Sequence, residues 1–308
     1  MSAPCEIRVG DPNDFAPLVD LQLARVPTTR RGVAELPFLI RDQMSYLALR
    51  TAYVDGTLAG WGVTARPAHF APEMGIMFTV VAPAYTGRGI ARTLYDELLP
   101  LVPGHITRLG TLVDDQDPVS LEVAQAHGFE LKQHGIDSEL ALVDLPDPTP
   151  LPGVDFEDVS DLVFPDEPAV EAMLIASQTN PEAVDAGMIS TLENLRGMRA
   201  SFDPYLAVLA RVEGVPAAII TADITDETLY IHYTGVDPAY RGRSIARSLK
   251  QFMHLVAAQA GATTSFTTNE ESNAGIRRVN ADLGYTIVGG MHRLTRVLHA
   301  EEPTTLAP

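Results

Sequence analysis

The chain has 308 residues, 46% hydrophobic and 20% charged, with 22 Lys and Arg against 40 Asp and Glu for a net charge of -18. That apolar content excludes a disordered chain, and the length suits two domains better than one core. The acid excess excludes a nucleic-acid binder: residues 1–145 carry 11 basic and 18 acidic side chains and the remainder 11 and 22, whereas phosphate contacts need Lys and Arg.

The same excess suits a cationic small molecule such as an amine, or simply a self-repelling soluble surface. Cys5 is the single cysteine, which excludes an intramolecular disulfide and a cysteine zinc site and fits a reducing cytoplasm. Residues 1–12 hold Glu6, Arg8 and Asp11 and no apolar run. No stretch approaches about 18 uninterrupted apolar residues, so neither an export signal nor a membrane span is expected, and the expected location is cytoplasmic.

In chain order, residues 7–9 read as a strand and 12–25 as a helix that Asp11 would cap. Runs 45–54 and 57–64 flank Asp55-Gly56 as a hairpin. A strand at 74–81, a helix at 89–99, a strand at 107–113, a helix at 118–127 and closing strands over 129–143 follow. Residues 145–153 then place four prolines in Leu-Pro-Asp-Pro-Thr-Pro-Leu-Pro-Gly, an extended, semi-rigid spacer. Beyond it the order returns: 154–156, 168–179, 186–196, a hairpin of 205–212 and 215–224, a strand at 228–236, a helix at 244–260, a strand at 263–268, a helix at 273–283 and final strands over 285–298. This order predicts the α/β class, with a mixed sheet flanked by helices in each half.

The halves are copies. Val81, Pro83, Ala84, Tyr85, Gly87, Arg88, Ile90, Ala91, Arg92 and Leu94 recur 155 positions later as Val236, Pro238, Ala239, Tyr240, Gly242, Arg243, Ile245, Ala246, Arg247 and Leu249. Gly128-Phe129 is answered by Gly284-Tyr285, and Asp55-Gly56 by Glu213-Gly214. Such self-similarity is the mark of duplication, and it sets expected domains at 1–144 and 154–308 about the spacer 145–153.

The repeated segment is an apolar strand, a proline that ends it, a Gly/Arg-rich turn and a long helix. A helix begun this way leaves its first amides unpaired and partly positive, ready for a phosphate. Gly87 and Gly89 would let a pyrophosphate approach the backbone, and Arg88 would add a charge-assisted contact. It is neither a Walker loop, lacking Gly-Lys-Ser/Thr, nor a dinucleotide fingerprint, lacking the third glycine.

Thr86-Gly-Arg-Gly-Ile-Ala91 and Arg241-Gly-Arg-Ser-Ile-Ala246 instead resemble the acyl-coenzyme A signature of the GNAT superfamily of N-acetyltransferases, Arg/Gln-x-x-Gly-x-Gly/Ala, and the pairing is similar to tandem GNAT proteins. The resemblance spans both halves. It implies two tandem GNAT-like acyl-CoA acyltransferase domains with acetyl-CoA as cosubstrate and no metal. Cofactor contacts are then expected from Val80, Val81, Thr86, Gly87, Arg88, Gly89, Ile90 and Ala91 in the first copy. In the second they are expected from Thr234, Val236, Arg241, Gly242, Arg243, Ser244, Ile245, Ala246 and Asn273. Thr86 departs from the opening Arg/Gln, and Ser244 puts a Cβ where glycine belongs. Asn269, Asn273 and Asn280 resemble the family's Asn-rich segment before Gly-Phe/Tyr, although Asn273 reads equally as a helix cap.

The resemblance also implies direct attack of an amine on a thioester held between two central strands, assisted by a base and an acid. The tyrosine many relatives carry four residues before Gly-Phe is replaced by Ala124 and Asn280. Substitutes are expected on 228–236, where strict alternation puts Tyr230 and His232 on one face and Ile231 and Tyr233 on the other. His232 suits a base and Tyr233 a donor to sulfur, each reading also as a packed aromatic, and Asn280 completes the candidate set. Glu73 and Trp61 read as a strand end and a packing residue, and the remaining histidines show no metal-ligand spacing. Acceptor contacts are expected from residues 27–38 and 179–198.

The expected function is acetyl transfer from acetyl-CoA to a small amine by a monomer or homodimer. The second copy would be catalytic, the first retaining a CoA site, with no nucleic-acid or membrane partner. A non-catalytic acyl-CoA binder and a pair of active domains with different acceptors are the alternatives.

Overall fold

The computed structural model describes residues 5–26, 29–68, 70–178 and 191–298. Its first half gives β1 (Cys5–Val9), α1 (Ala16–Arg25), α2 (Arg31–Leu39), β2 (Met44–Val54), β3 (Thr57–Pro67), β4 (Met74–Val81), α3 (Ile90–Leu98), β5 (Arg108–Asp114), α4 (Pro118–Ala126) and β6 (Glu130–Ala141). The second gives β7 (Val154–Asp158), α5 (Glu167–Ser177), α6 (Leu192–Ser201), β8 (Tyr205–Val212), β9 (Val215–Thr225), β10 (Thr228–Val236), α7 (Ile245–Gln259), β11 (Thr264–Glu270), α8 (Ala274–Leu283) and β12 (Thr286–Val297). The class is the α/β one expected.

Turn chemistry builds the antiparallel part. Asp55 and Gly56, at φ 50° and 75°, reverse the chain between β2 and β3, and Glu213 and Gly214, at 51° and 83°, do so between β8 and β9, as two-residue type I′ hairpins require. Period-2 alternation then sorts the core. In β8 and β9, Tyr205, Ala207, Leu209 and Ile219 face α5 and α6, while Leu206, Val208, Ala210, Ala218, Ile220 and Ala222 face α7. In the first copy, α1 and α2 cover Trp61, Val63 and Ala65, and Ile90 and Leu94 of α3 cover Ala52 and Ala59. Trp61 is fully buried and donates through Nε1 to the Leu18 carbonyl at 2.9 Å, so it is a packing residue.

Packing divides the chain into two compact units, Met1–Gln133 with His292–Pro308, and His134–Met291. The first has the strand order β1-β2-β3-β4-β5-β12, taking the second half of β12, and the other has β7-β8-β9-β10-β11-β6. These units cut the chain differently from the sequence repeat, because each repeat's closing strand is divided, β6 from His134 onward and β12 from His292 onward belonging to the unit built from the other repeat. β6 pairs antiparallel along β11 from Ala141 against Thr264 to Gly135 against Glu270. Leu294 is buried among Met77, Leu98, Ile106 and Leu109.

Residues 145–153 are also more than a spacer. Leu145 and Leu151 pack on the core under α7, the Thr149 N–H donates to Gln251 Oε1 at 3.1 Å, and the Ser248 hydroxyl donates to the Thr149 carbonyl at 3.0 Å. Asp11 does not cap α1. It accepts from the Asn13 N–H in a local turn, and the helix starts later, behind Phe15, with a proline in its first turn. Helix α2 has no counterpart among the sequence expectations, since Pro37 inside it interrupts the pattern. The segment expected over 186–196 lies outside the described residues up to 190, and its remainder enters α6.

Because unit one includes β12 from His292 onward, a chain ending at Met291 is expected to lose that unit's packing first. The check is emission from Trp61, the single tryptophan, which should shift to the red as in an unfolded chain although the deletion is remote in sequence.

Candidate functional site

Both repeated loops have the same backbone. After β4, the turn Pro83–Tyr85 leads to Gly87 at φ 78° and Gly89 at φ 79°, and Gly89 precedes Ile90 as the N-cap of α3. After β10, Pro238–Tyr240 leads to Gly242 at φ 75° and Ser244 at φ 62°, the N-cap of α7. A Cβ built on Gly87, Gly89 or Gly242 meets nothing within 4 Å, so these glycines leave open space beside the helix start. Ser244 holds a left-handed conformation that costs a non-glycine residue about 1–3 kcal/mol. The first α-helical backbone bonds run from Thr93 to the Gly89 carbonyl and from Ser248 to the Ser244 carbonyl, so the amides of the first turn precede the ladder. Arg88 sits over the Tyr85 ring at 5.1 Å and Arg243 over Tyr240 at 5.4 Å, which holds each guanidinium beside its turn. These loops fit a diphosphate: amides of a helix start ahead of the α-helical ladder, open space beside the glycines and a cation. Thr86, Ile90, Ala91, Arg241, Ile245 and Ala246 frame them, with Val80, Val81, Thr234 and Val236 on the strand ends leading in.

The two parallel strands behind each loop part company. β4 and β5 pair only from Met74 against Arg108 to Ile76 against Gly110, and β10 and β11 only from Thr228 against Thr264 to Ile231 against Thr267. Beyond these pairs β4 runs to Val81 and β10 to Val236, leaving a slot in each copy that opens toward the loop. The second slot has one feature the first lacks. Against β9, Ile231 pairs with Ala222 and Tyr233 with Thr221, so His232 is an extra, bulged residue; β4 against β3 shows no shift. The sequence held this signal, since 74–81 is eight residues and 228–236 nine.

The bulge corrects the expected faces. One inserted residue reverses the phase, so Tyr233 packs with the α5 and α6 cluster and Ile231 with the α7 cluster. His232 and Tyr233 therefore lie on the same side. His232 Nε2 is 2.5 Å from Asp223 Oδ1, with Asp223 2% exposed, and the imidazole lies against the rings of Phe202 and Tyr205. Burial pushes the neighbouring Tyr205 phenol up to about 12. The Tyr233 hydroxyl is 2.5 Å from Ser177 Oγ, which donates to the Leu174 carbonyl at 2.7 Å. Ser177 has one proton, so Tyr233 donates to it and keeps lone pairs, rather than a proton, for anything else. Burial raises the Tyr233 pKa, and the phenol stays neutral. A Cβ on Gly235 would collide with that hydroxyl and with Ser177 Oγ, so glycine there makes its seat. Arg241 donates to the carbonyls of Val236 and Ser177, tying the loop to the end of α5.

Asn273 caps α8, accepting from the Ile276 N–H at 3.3 Å. Asn280 is buried and bonded to Lys250 and Asn269, so the two asparagines serve different surroundings. Glu73 pairs with Arg108 at 2.7 Å. Asp223, Ser177 and Lys250 were not singled out in the sequence, since their partners lie on other elements. Residues 27–28 and 179–190 of the expected acceptor segments lie outside the described residues. Among the described residues no group of three His, Cys, Asp or Glu is arranged to hold a metal, and no helix is long and apolar enough to cross a membrane.

The profile of the family described as acetyltransferase (GNAT) family matches residues 19–129 and again 172–285. Among solved structures, a GCN5-related N-acetyltransferase from Sphaerobacter thermophilus is similar at 19% identity, covering 97% of this chain and 98% of that one with a TM-score of 0.74. A tandem GNAT protein from the clavulanic acid biosynthesis pathway is similar at 17%, covering 97% and 100% at 0.74. A GCN5-related glucosamine N-acetyltransferase region of a fungal multi-domain β-N-acetylglucosaminidase is similar at 14%, covering 96% of this chain and 38% of that one at 0.71. The comparison with curated proteins returns no match.

Ser244→Gly is expected to stabilise the protein by about 1 kcal/mol in denaturant unfolding, by removing a Cβ from a left-handed position.

Proposed function

The chain belongs to the acetyltransferase (GNAT) family, and from that premise we propose that it transfers an acetyl group from acetyl-CoA to a small amine, with the second copy catalytic and the first a CoA-binding domain. The observation that carries this reading is the bulge at His232 beside the parted ends of β10 and β11. It sets His232, Asp223 and Tyr233 on one face of the slot. The first copy's corresponding face carries Phe15, Phe38, Trp61 and Phe78, packed ring on ring, side chains that offer neither an acid nor a base.

Family members use acetyl-CoA, and when bound it supplies an activated acyl group and a thiolate leaving group. The residues that would hold its diphosphate are the loops 86–91 and 241–246, through the amides of their helix starts. The chain's own groups divide the remaining work. Asp223 accepts from His232 Nε2, which fixes the proton there and leaves Nδ1 with the lone pair needed to take a proton from an ammonium. The lone pairs of the Tyr233 hydroxyl orient the amine by accepting an N–H. The acid excess of the chain favours a cationic acceptor, and the name of the fungal relative supports an amino sugar as the first class to assay.

The experiment is thiol release from acetyl-CoA over a panel of amines, amino sugars included, with native mass spectrometry counting bound coenzyme A. Two coenzyme A molecules per chain and turnover with at least one amine are expected. His232→Ala should lower kcat/KM by about 100-fold or more, and Asp223→Asn should follow it in direction. Undiminished turnover in His232→Ala removes the second slot from catalysis. Coenzyme A binding without thiol release on any amine favours a binding protein instead.

A further inference from the structure

Lys250 is fully buried on α7, and its ammonium faces the Asn280 amide and the Tyr285 ring, with no carboxylate pairing among the described residues. Its Nζ donates to Asn280 Oδ1 at 2.8 Å, and Asn280 Nδ2 donates to Asn269 Oδ1 at 2.6 Å. In its ammonium form Lys250 has only donors, so Asn280 turns its oxygen to Lys250 and its NH2 away; Asn269 then accepts, and its own NH2 becomes the free end of the chain. Among the described residues that NH2 meets no acceptor. Asn269 lies two residues beyond Thr267, the last β11 residue paired with β10, which is where the slot opens.

A buried ammonium is expensive without an anion, and a filler of the same space needs no charge. The first copy fills the place differently. Tyr95, which follows Leu94 as Lys250 follows Leu249, packs with Val113 and Ala124, which hold the places of Asn269 and Asn280, and its hydroxyl accepts from the Arg296 guanidinium. Among the described residues the Lys-Asn-Asn chain therefore belongs to the second copy.

We propose that Lys250, acting through Asn280, makes the Asn269 NH2 a polarised donor that stabilises negative charge on the sulfur of coenzyme A in the second copy, taking over the leaving-group side of the reaction. The proposal rests on the reading above that this slot holds the thioester. Lys250 and Asn280 are positioning residues; Asn269 is the contact. Aligned donors strengthen one another in a dry interior. Burial brings Lys250 down to about 7, and an anion at the far end of the chain favours its ammonium form over the neutral amine, the proton being exchanged with solvent. The titratable groups beside Lys250 are His254, which burial and the Lys250 charge hold down at about 3, and Tyr285, which burial raises. His254 and Tyr285 bond to each other at 2.8 Å, so neither competes for that proton near neutrality.

The test is the ionisation of bound coenzyme A, followed by thiolate ultraviolet absorbance as pH is varied, on the full chain and on Lys250→Met, Asn269→Ala and the double variant. The thiol proton goes to solvent in this titration, and no acceptor is needed. Bound thiol is expected to ionise about tenfold less readily in either single variant than in the native chain, a shift of about one pKa unit. The double variant should lose no more than a single one, as for links of one chain. Asn269 is part-exposed, so Asn269→Ala carries the test if Lys250→Met fails to fold. Equal thiol ionisation with coenzyme A bound throughout overturns this inference and leaves acetyl transfer standing; no coenzyme A at the second loop overturns both.

Discussion

Two parallel strands that stop pairing too soon govern this protein. A buried backbone must place its N–H and C=O groups somewhere, yet β10 and β11 pair over four residues and β4 and β5 over three before they separate. The groups beyond are left facing a slot at the carboxyl ends of parallel strands, where open α/β sheets bind ligands. The loop that follows each strand starts a helix at the mouth of that slot, so peptide groups for an extended ligand and amides for its anionic end lie in one line. The cradle and the candidate catalytic side chains are positioned by this single interruption.

The two copies keep the interruption and differ in what surrounds it. The loop backbone is so closely retained that Ser244 stands at a positive φ where its counterpart is Gly89. Around the slots the chemistry diverges: aromatic rings against a bulged histidine, an aspartate and a tyrosine on one face, and a tyrosine bonded to Arg296 against a lysine and two amides on the other. The duplication has thus preserved the backbone of the loops and varied the side chains around them.

What was legible in the sequence was local. Prolines, glycines and the Arg of each loop specify their own conformation within a few residues, so the repeat, the hairpins and the helix starts could be read directly. The faces of β10 could not, because one bulged residue inverts an alternation that is otherwise dependable, and only the extra length of 228–236 hinted at it. Asp223, Ser177 and Lys250 acquire meaning from partners 9, 56 and 30 residues away, and a lysine in an amphipathic helix reads as solvated until its surroundings are seen. Long-range strand pairing was equally hidden, since nothing in residues 129–143 announces which sheet they will close.

That last pairing has a bearing on how the molecule is made. The unit that contains the first 133 residues includes β12 from His292, so during synthesis its sheet waits, one edge unfinished, until nearly three hundred residues have left the ribosome. An unfinished edge is a hazard while it lasts. The two halves mature together instead of in turn, and an early product severed near residue 144 would carry the right strands for a neighbour it does not have.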